Sequence, residues 1–102
     1  MLTDWIAHFI TKRCYLVLVK SRQMDEKEKK ERLKLQKRFG EHLIKLRKAE
    51  DITPAELARR CFMERSNIAR LETGRTNPSL FVLKKLAAGL GVEMDELLQG
   101  FR

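Results

Sequence analysis

Arg65, Ser66, Asn67 and Arg70 crowd into one short helical stretch of ERSNIARLETGRTNPSL (64–80), around only two aliphatic residues, Ile68 and Leu71. These types carry a recognisable chemistry. Arginine bridges guanine O6 and N7, asparagine pairs with adenine, serine adapts to either, and the Ala69 methyl suits a thymine methyl. With Ile68 facing inward and about 100° per residue, Leu71 falls nearby. Ser66, Ala69 and Arg70 then lie on the far side, with Arg65 and Asn67 on the flanks. The outward surface bears no Lys–Glu pair and no large apolar group. A helix of this kind suits the major groove of duplex DNA.

Charge points the same way. Lys and Arg number 22 against 14 acids, giving a net charge of +8 and a pI near 9.9. From Arg59 to Lys85 there are seven cations, Arg59, Arg60, Arg65, Arg70, Arg75, Lys84 and Lys85, against Glu64 and Glu72. Such a balance favours a polyanionic partner. Helix starts near Thr53 and Ser79 supply backbone N–H groups suited to phosphates.

Other classes find little support. There is no Ser/His/Asp order, no plausible carboxylate pair, no phosphate-cradling glycine loop and no metal cluster, so no enzyme, cofactor or metal is expected. Cys14 and Cys61 form no CxxC, and His8 and His42 are isolated, which argues against a disulfide framework or a zinc site and for a reducing, cytoplasmic setting. Asp4, His8, Lys12 and Arg13 interrupt any run long enough to span a membrane, and Asp4 argues against a signal peptide. Membrane binding by the basic 25–38 stretch is set aside because four acids stand among its seven bases.

The elements that must hold the 65–73 helix are legible around it. At 102 residues the chain is one small domain with an appendage. Residues 1–24 read as an N-terminal arm, weakly packed or upstream of a true start at Met24. Within it Trp5, Ile6, Phe9 and Ile10 share a helix face, and YLVLV (Tyr15–Val19) reads as a buried strand or an apolar plug. Residues 25–37 form a charged extension of helix one, and Leu35, Phe39, Leu43 and Leu46 make its apolar stripe to about Ala49. Thr53, Pro54 and Glu56 open helix two as cap, first position and capping-box partner, with Leu57, Ala58 and Cys61 inward. Gly74 stops helix three. Asn77 or Ser79 caps helix four, which turns Leu80, Leu83, Leu86, Ala87 and Leu90 inward and ends at Gly91. A short helix near Asp95–Leu98 closes an all-α, five-helix domain through Met94, Leu97 and Leu98, leaving a tail at 99–102.

The run from LRKAEDITPAELARRC to LAAGLGVEMDELL resembles the Cro/repressor-type helix-turn-helix of the XRE family, a lambda repressor-like fold, over about residues 38–98. The resemblance rests on ELA in helix two, SNIARLETG in helix three, NPSL before helix four and LAAGLGV after it. It implies that helix three is the recognition helix. Arg65, Ser66 and Arg70 would contact bases, with Asn67 and Ala69 beside them. Thr53, Pro54, Arg75, Thr76, Asn77 and Ser79 would contact phosphates, and Arg47 with Glu72 would form a structural ion pair. The chain departs from the pattern at three places. Phe62 stands where the turn usually holds glycine, which predicts either a strained positive φ at Phe62 or, in preference, a reshaped turn with its ring on the core or exposed. Glu64 replaces the usual Ser or Thr cap, and Pro54 replaces a common Gln.

The resemblance implies a sequence-specific regulator, most simply a repressor, bound as a homodimer to a pseudo-palindromic site on double-stranded DNA. Dimer contacts would come from helix five with Phe101 or from the arm. The alternative is an antitoxin whose apolar arm (Trp5, Phe9, Tyr15–Val19) holds a toxin-like protein partner.

Overall fold

The computed structural model of the chain describes the backbone of residues 2–99 and the side chains of residues 25–99. It contains α1 (Leu2–Ala49), α2 (Pro54–Arg60), α3 (Arg65–Glu72), α4 (Leu80–Leu90) and α5 (Met94–Leu97), with no strand among the described residues. The chain divides into two compact units, residues 1–31 and residues 32–102.

The first unit belongs to α1. Its backbone is helical through Tyr15–Val19, so the strand suggested by the β-branched run does not form. No glycine occurs before Gly40 and no proline before Pro54, so nothing breaks the helix. The contacts expected of Trp5, Phe9, Tyr15–Val19 and Phe101 lie outside the described residues. Among the described residues no helix is long and apolar enough to cross a membrane.

In the second unit every helix contributes to one core. Phe39 and Leu43 come from α1, Leu57 and Ala58 from α2 with Cys61 just beyond it, Ile68 and Leu71 from α3, Leu86, Ala87 and Leu90 from α4, and Leu97 from α5. The inward stripe of α1 differs by one residue from the sequence reading. Gln36 is buried and Leu35 is exposed, because Gln36 stands three before Phe39 and seven before Leu43, the spacing that returns to one helix face. Two further expectations are corrected. Leu80 is 74% exposed, since the first turn of α4 packs on the core through Val82 and Leu83, and Leu98 is exposed while Leu97 closes the domain.

Helices α1 to α4 end in the same way. Each is followed by a residue at positive φ: Asp51 (54°), Phe62 (54°), Gly74 (76°) and Gly91 (70°). At each end that residue donates back to a carbonyl three before it, and the next residue to one five before it. Around Phe62 these bonds are Phe62 N to Arg59 O at 3.3 Å and Met63 N to Ala58 O at 2.9 Å. This paired ending satisfies the last carbonyls and turns the chain sharply, and it favours glycine because a Cβ crowds the left-handed region. The turn at Phe62 is therefore not reshaped. Phe62 adopts the glycine conformation, and its ring is 88% exposed. Since the ring packs on nothing, Phe62→Gly is expected to raise stability by about 0.5–1 kcal/mol, the relief of left-handed strain less the added chain entropy of glycine. A thermal melt should rise by roughly 2–8 °C for a domain of this size. A lowered melting temperature would show that the ring stabilises the fold.

Candidate nucleic-acid interface

The position of α3 is fixed at its C-terminal end. A Cβ on Gly40 would lie 2.5 Å from the Glu72 carbonyl oxygen and 2.6 Å from that of Leu71, so α1 and α3 meet backbone to backbone. One turn earlier on α1, a Cβ on Gly74 would lie 2.7 Å from Lys37 Cα, and Gln36 Nε2 donates to the Gly74 carbonyl at 3.1 Å. One to two turns later, Arg47 Nε donates to the Glu72 carboxylate, while its Nη1 donates to the Ile52 carbonyl at 2.9 Å. Their side chains are only 12% and 10% exposed. Arg47 thus ties three elements together: its own helix, the loop that enters α2, and the end of α3.

With its inner face anchored through Ile68 and Leu71, α3 leaves Arg65, Ser66, Asn67, Ala69 and Arg70 all exposed. Asn67 and Arg70 also line an open cleft of about 260 Å³ with Thr76, Asn77, Pro78 and Ser79 of the following loop. The fold therefore brings two of the expected base readers beside three of the expected phosphate-contacting residues. Thr53, Pro54, Arg65, Ser66, Ala69 and Arg75 do not line this cleft. Thr53 Oγ1 accepts from the Glu56 amide at 3.1 Å and caps α2, and Ser79 Oγ accepts from the Val82 amide at 3.2 Å and caps α4. Ser79, not Asn77, is thus the cap.

The charge on this side is less free than the residue count implies. The Glu56 carboxylate does not turn back to the Thr53 amide. It accepts from Arg59 Nη2 at 2.7 and 2.6 Å and from Arg60 Nε at 3.3 Å. The hydrogen bond from Arg59, more than the charges of Arg59 and Arg60, holds Glu56 below the usual carboxylate range. Being exposed, these pairs add little stability. At the head of α3, Glu64 takes the cap position without a side-chain cap bond, and Ser66 Oγ reaches its carboxylate only at 3.5 Å. An exposed negative charge therefore stands where α3 meets solvent. Cys61 is buried at the end of α2, and burial pushes its thiol up, which keeps it protonated. Among the described residues no group of His, Cys, Asp or Glu is placed to hold a metal.

Sequence reasoning missed Gln36 and Gly40, which place α3 without facing outward. Gln36 was detectable by its spacing from Phe39 and Leu43. Gly40 was detectable as a glycine inside a helix, which usually marks a close backbone approach.

An all-α domain with a short second helix, a tight turn and an exposed polar third helix is a helix-turn-helix of the DNA-binding kind. The comparisons agree. A helix-turn-helix family profile matches residues 43–97. The control protein C.MunI of a Mycoplasma species is 39% identical over 61 residues, 59% of this chain and 82% of that protein. The immunity repressor of Bacillus phage phi105 is 32% identical over 58% of this chain and 41% of its own length. The crystal structure of the restriction-modification controller protein C.AhdI from Aeromonas hydrophila superposes with a TM-score of 0.61 at 35% identity, covering 62% of this chain and 96% of that one. The chain belongs to this helix-turn-helix family and is a DNA-binding transcriptional regulator.

Two variants probe the geometry. Glu72→Ala leaves Arg47 largely buried without its carboxylate and is expected to cost about 3 kcal/mol in urea unfolding; a loss below about 1 kcal/mol would show that the ion pair does not hold α3 to α1. Glu64→Ser supplies the missing cap, worth about 1 kcal/mol, and removes a negative charge. Its chemical midpoint should rise and its binding to any duplex should tighten. Unchanged DNA affinity would place Glu64 away from the phosphates.

Proposed function

We propose that this regulator is a sequence-specific repressor that acts in the cytoplasm as a homodimer on a pseudo-palindromic operator. The observation that carries the reading is the convergence of Asn67 and Arg70 of α3 with Thr76, Asn77 and Ser79 of the following loop in one open cleft. Arg65, Ser66, Asn67, Ala69 and Arg70 read base edges. Arg75, Thr76, Asn77 and Ser79 hold phosphates on one side of the groove, and the start of α2 at Thr53 and Pro54 holds them on the other. Phosphate contacts fix the register, and base contacts select the sequence. Two-fold symmetry sets the half-sites about one helical turn, ~34 Å, apart. The relation to a phage immunity repressor and to two controller proteins supports regulation by operator binding. One further relative, 34% identical over 62 residues and matched over only 30% of its own length, is a transcriptional activator from Enterococcus faecalis, and a reporter distinguishes the two signs.

The test is fluorescence anisotropy on the duplex upstream of the protein's own gene and on a scrambled duplex, at two salt concentrations, with a reporter driven by the same upstream region. A preference of roughly a thousandfold or more with a silenced reporter is expected. Equal, salt-sensitive binding to both duplexes would refute an operator at that site, and an induced reporter would refute repression. Within a preferred site, Arg65→Ala or Arg70→Ala should cost about 1–3 kcal/mol and relax the choice at one base pair. Arg75→Gln should weaken all sequences alike and reduce the salt slope by about 1.

A further inference from the structure

Ahead of the family match, which begins at residue 43, α1 carries the heptapeptide RLKLQKR (32–38), with four cations and no acid. The wider 25–38 stretch holds seven bases and four acids, and those acids, Asp25, Glu26, Glu28 and Glu31, all precede Arg32. Arg38 has an interaction of its own. Lys34 and Lys37 are exposed and form no ion pair among the described residues. Glu41 stands one turn beyond Lys37, at the spacing of a helical ion pair, yet does not form one.

The place of these two lysines is set by the contacts that position α3. Gln36 and Gly40 face the end of α3, and Lys37 Cα lies against Gly74, 2.7 Å from where its Cβ would be. Lys34, three residues earlier, shares the Lys37 edge of the helix. Arg75 follows Gly74 directly and leads into the loop of Thr76, Asn77 and Ser79. The lysine edge of α1 therefore starts where the proposed phosphate-holding loop starts. One turn of α1, about 5.4 Å, compares with one to two phosphate steps of a DNA strand, about 3.4 Å each along the axis.

We propose that Lys34 and Lys37 form a second phosphate clamp, which carries the contact of the α3–α4 loop onto the DNA backbone flanking the half-site. The proposal rests on the DNA-reading function above and deepens it. Unpaired, exposed ammonium groups gain binding free energy by releasing counterions and carry no base information. The clamp therefore raises affinity for every duplex and lengthens the footprint, and it leaves the preference for the operator unchanged.

Lys34→Gln, Lys37→Gln and the double variant of the full chain test it, with anisotropy titrations across a salt series on the preferred and scrambled duplexes. Each single variant should lower the slope of log K against log salt by about 0.9 and the double by about 1.8, with the preference ratio unchanged. Phosphate-ethylation interference on the preferred duplex should lose its flanking positions in the double variant and keep those at the half-site. An unchanged slope would overturn the clamp, as would a smaller slope with an unchanged interference pattern, which marks a general effect of net charge. The scrambled duplex requires no operator. Binding by the wild type without preference would therefore refute an operator at that site and still leave the slope to judge the lysines. Failure to bind either duplex would overturn both.

Discussion

The close approach of α1 to the end of α3 governs the rest of this domain. Two helices separated by ordinary side chains pack 8–10 Å apart and tolerate rotamer changes at the contact. Here Gly40 removes the side chain, and the backbone of α1 meets the last carbonyls of α3 directly. Gly74 does the same one step beyond the helix, where a left-handed turn and the nearness of Lys37 both require glycine. Arg47 then adds direction to proximity. Its bond to Glu72 fixes the end of α3, and its bond to the Ile52 carbonyl fixes the chain just ahead of the α2 cap. One guanidinium thereby sets the two elements proposed to grip opposite sides of a groove.

The helix endings serve the same arrangement. The same pair of backbone bonds closes α1, α2, α3 and α4, so each turn is short and fixed. A fixed turn between α2 and α3 is what makes the angle between them a property of the fold. At Gly74 and Gly91 the residue suits this ending. At Asp51 it is tolerated, because a short polar side chain enters the left-handed region at modest cost. At Phe62 it is strained, and the ring gains no packing in return. The angle is thus kept at the expense of the residue.

Most of this was legible in the sequence, for identifiable reasons. The starts of α2 and α4 were visible because caps are local: Thr53 and Ser79 each accept from the amide three residues on, and Pro54 suits the first helical position. The outward face of α3 was visible because two aliphatic residues fix its orientation. The errors arose where tertiary geometry overrides local pattern. Leu80 looked like a core residue by spacing, but the first turn of α4 packs on the core through Val82 and Leu83 instead. Leu35 fitted the stripe by type, while Gln36 occupied the position because a buried amide could satisfy the Gly74 carbonyl. The left-handed turn at Phe62 was misjudged because backbone hydrogen bonds set it, whatever the side chain. Arg59 and Arg60 were counted as free charge, although Glu56 lies within one helical turn of both. The expected base and phosphate contacts rest on residue type and exposure.

The exposure of five consecutive-turn residues on α3 has a consequence for how such a protein diversifies. Arg65, Ser66, Asn67, Ala69 and Arg70 support no core contact, and the helix beneath them is held by Ile68, Leu71 and Glu72. Exchanges on such a surface commonly alter stability by less than about 0.5 kcal/mol. The lettering of the helix proposed to read DNA can therefore be rewritten without disturbing its mount. A duplicated copy could drift to a new address in the genome by point changes alone, while Gly40, Arg47 and Gly74 stay locked by geometry.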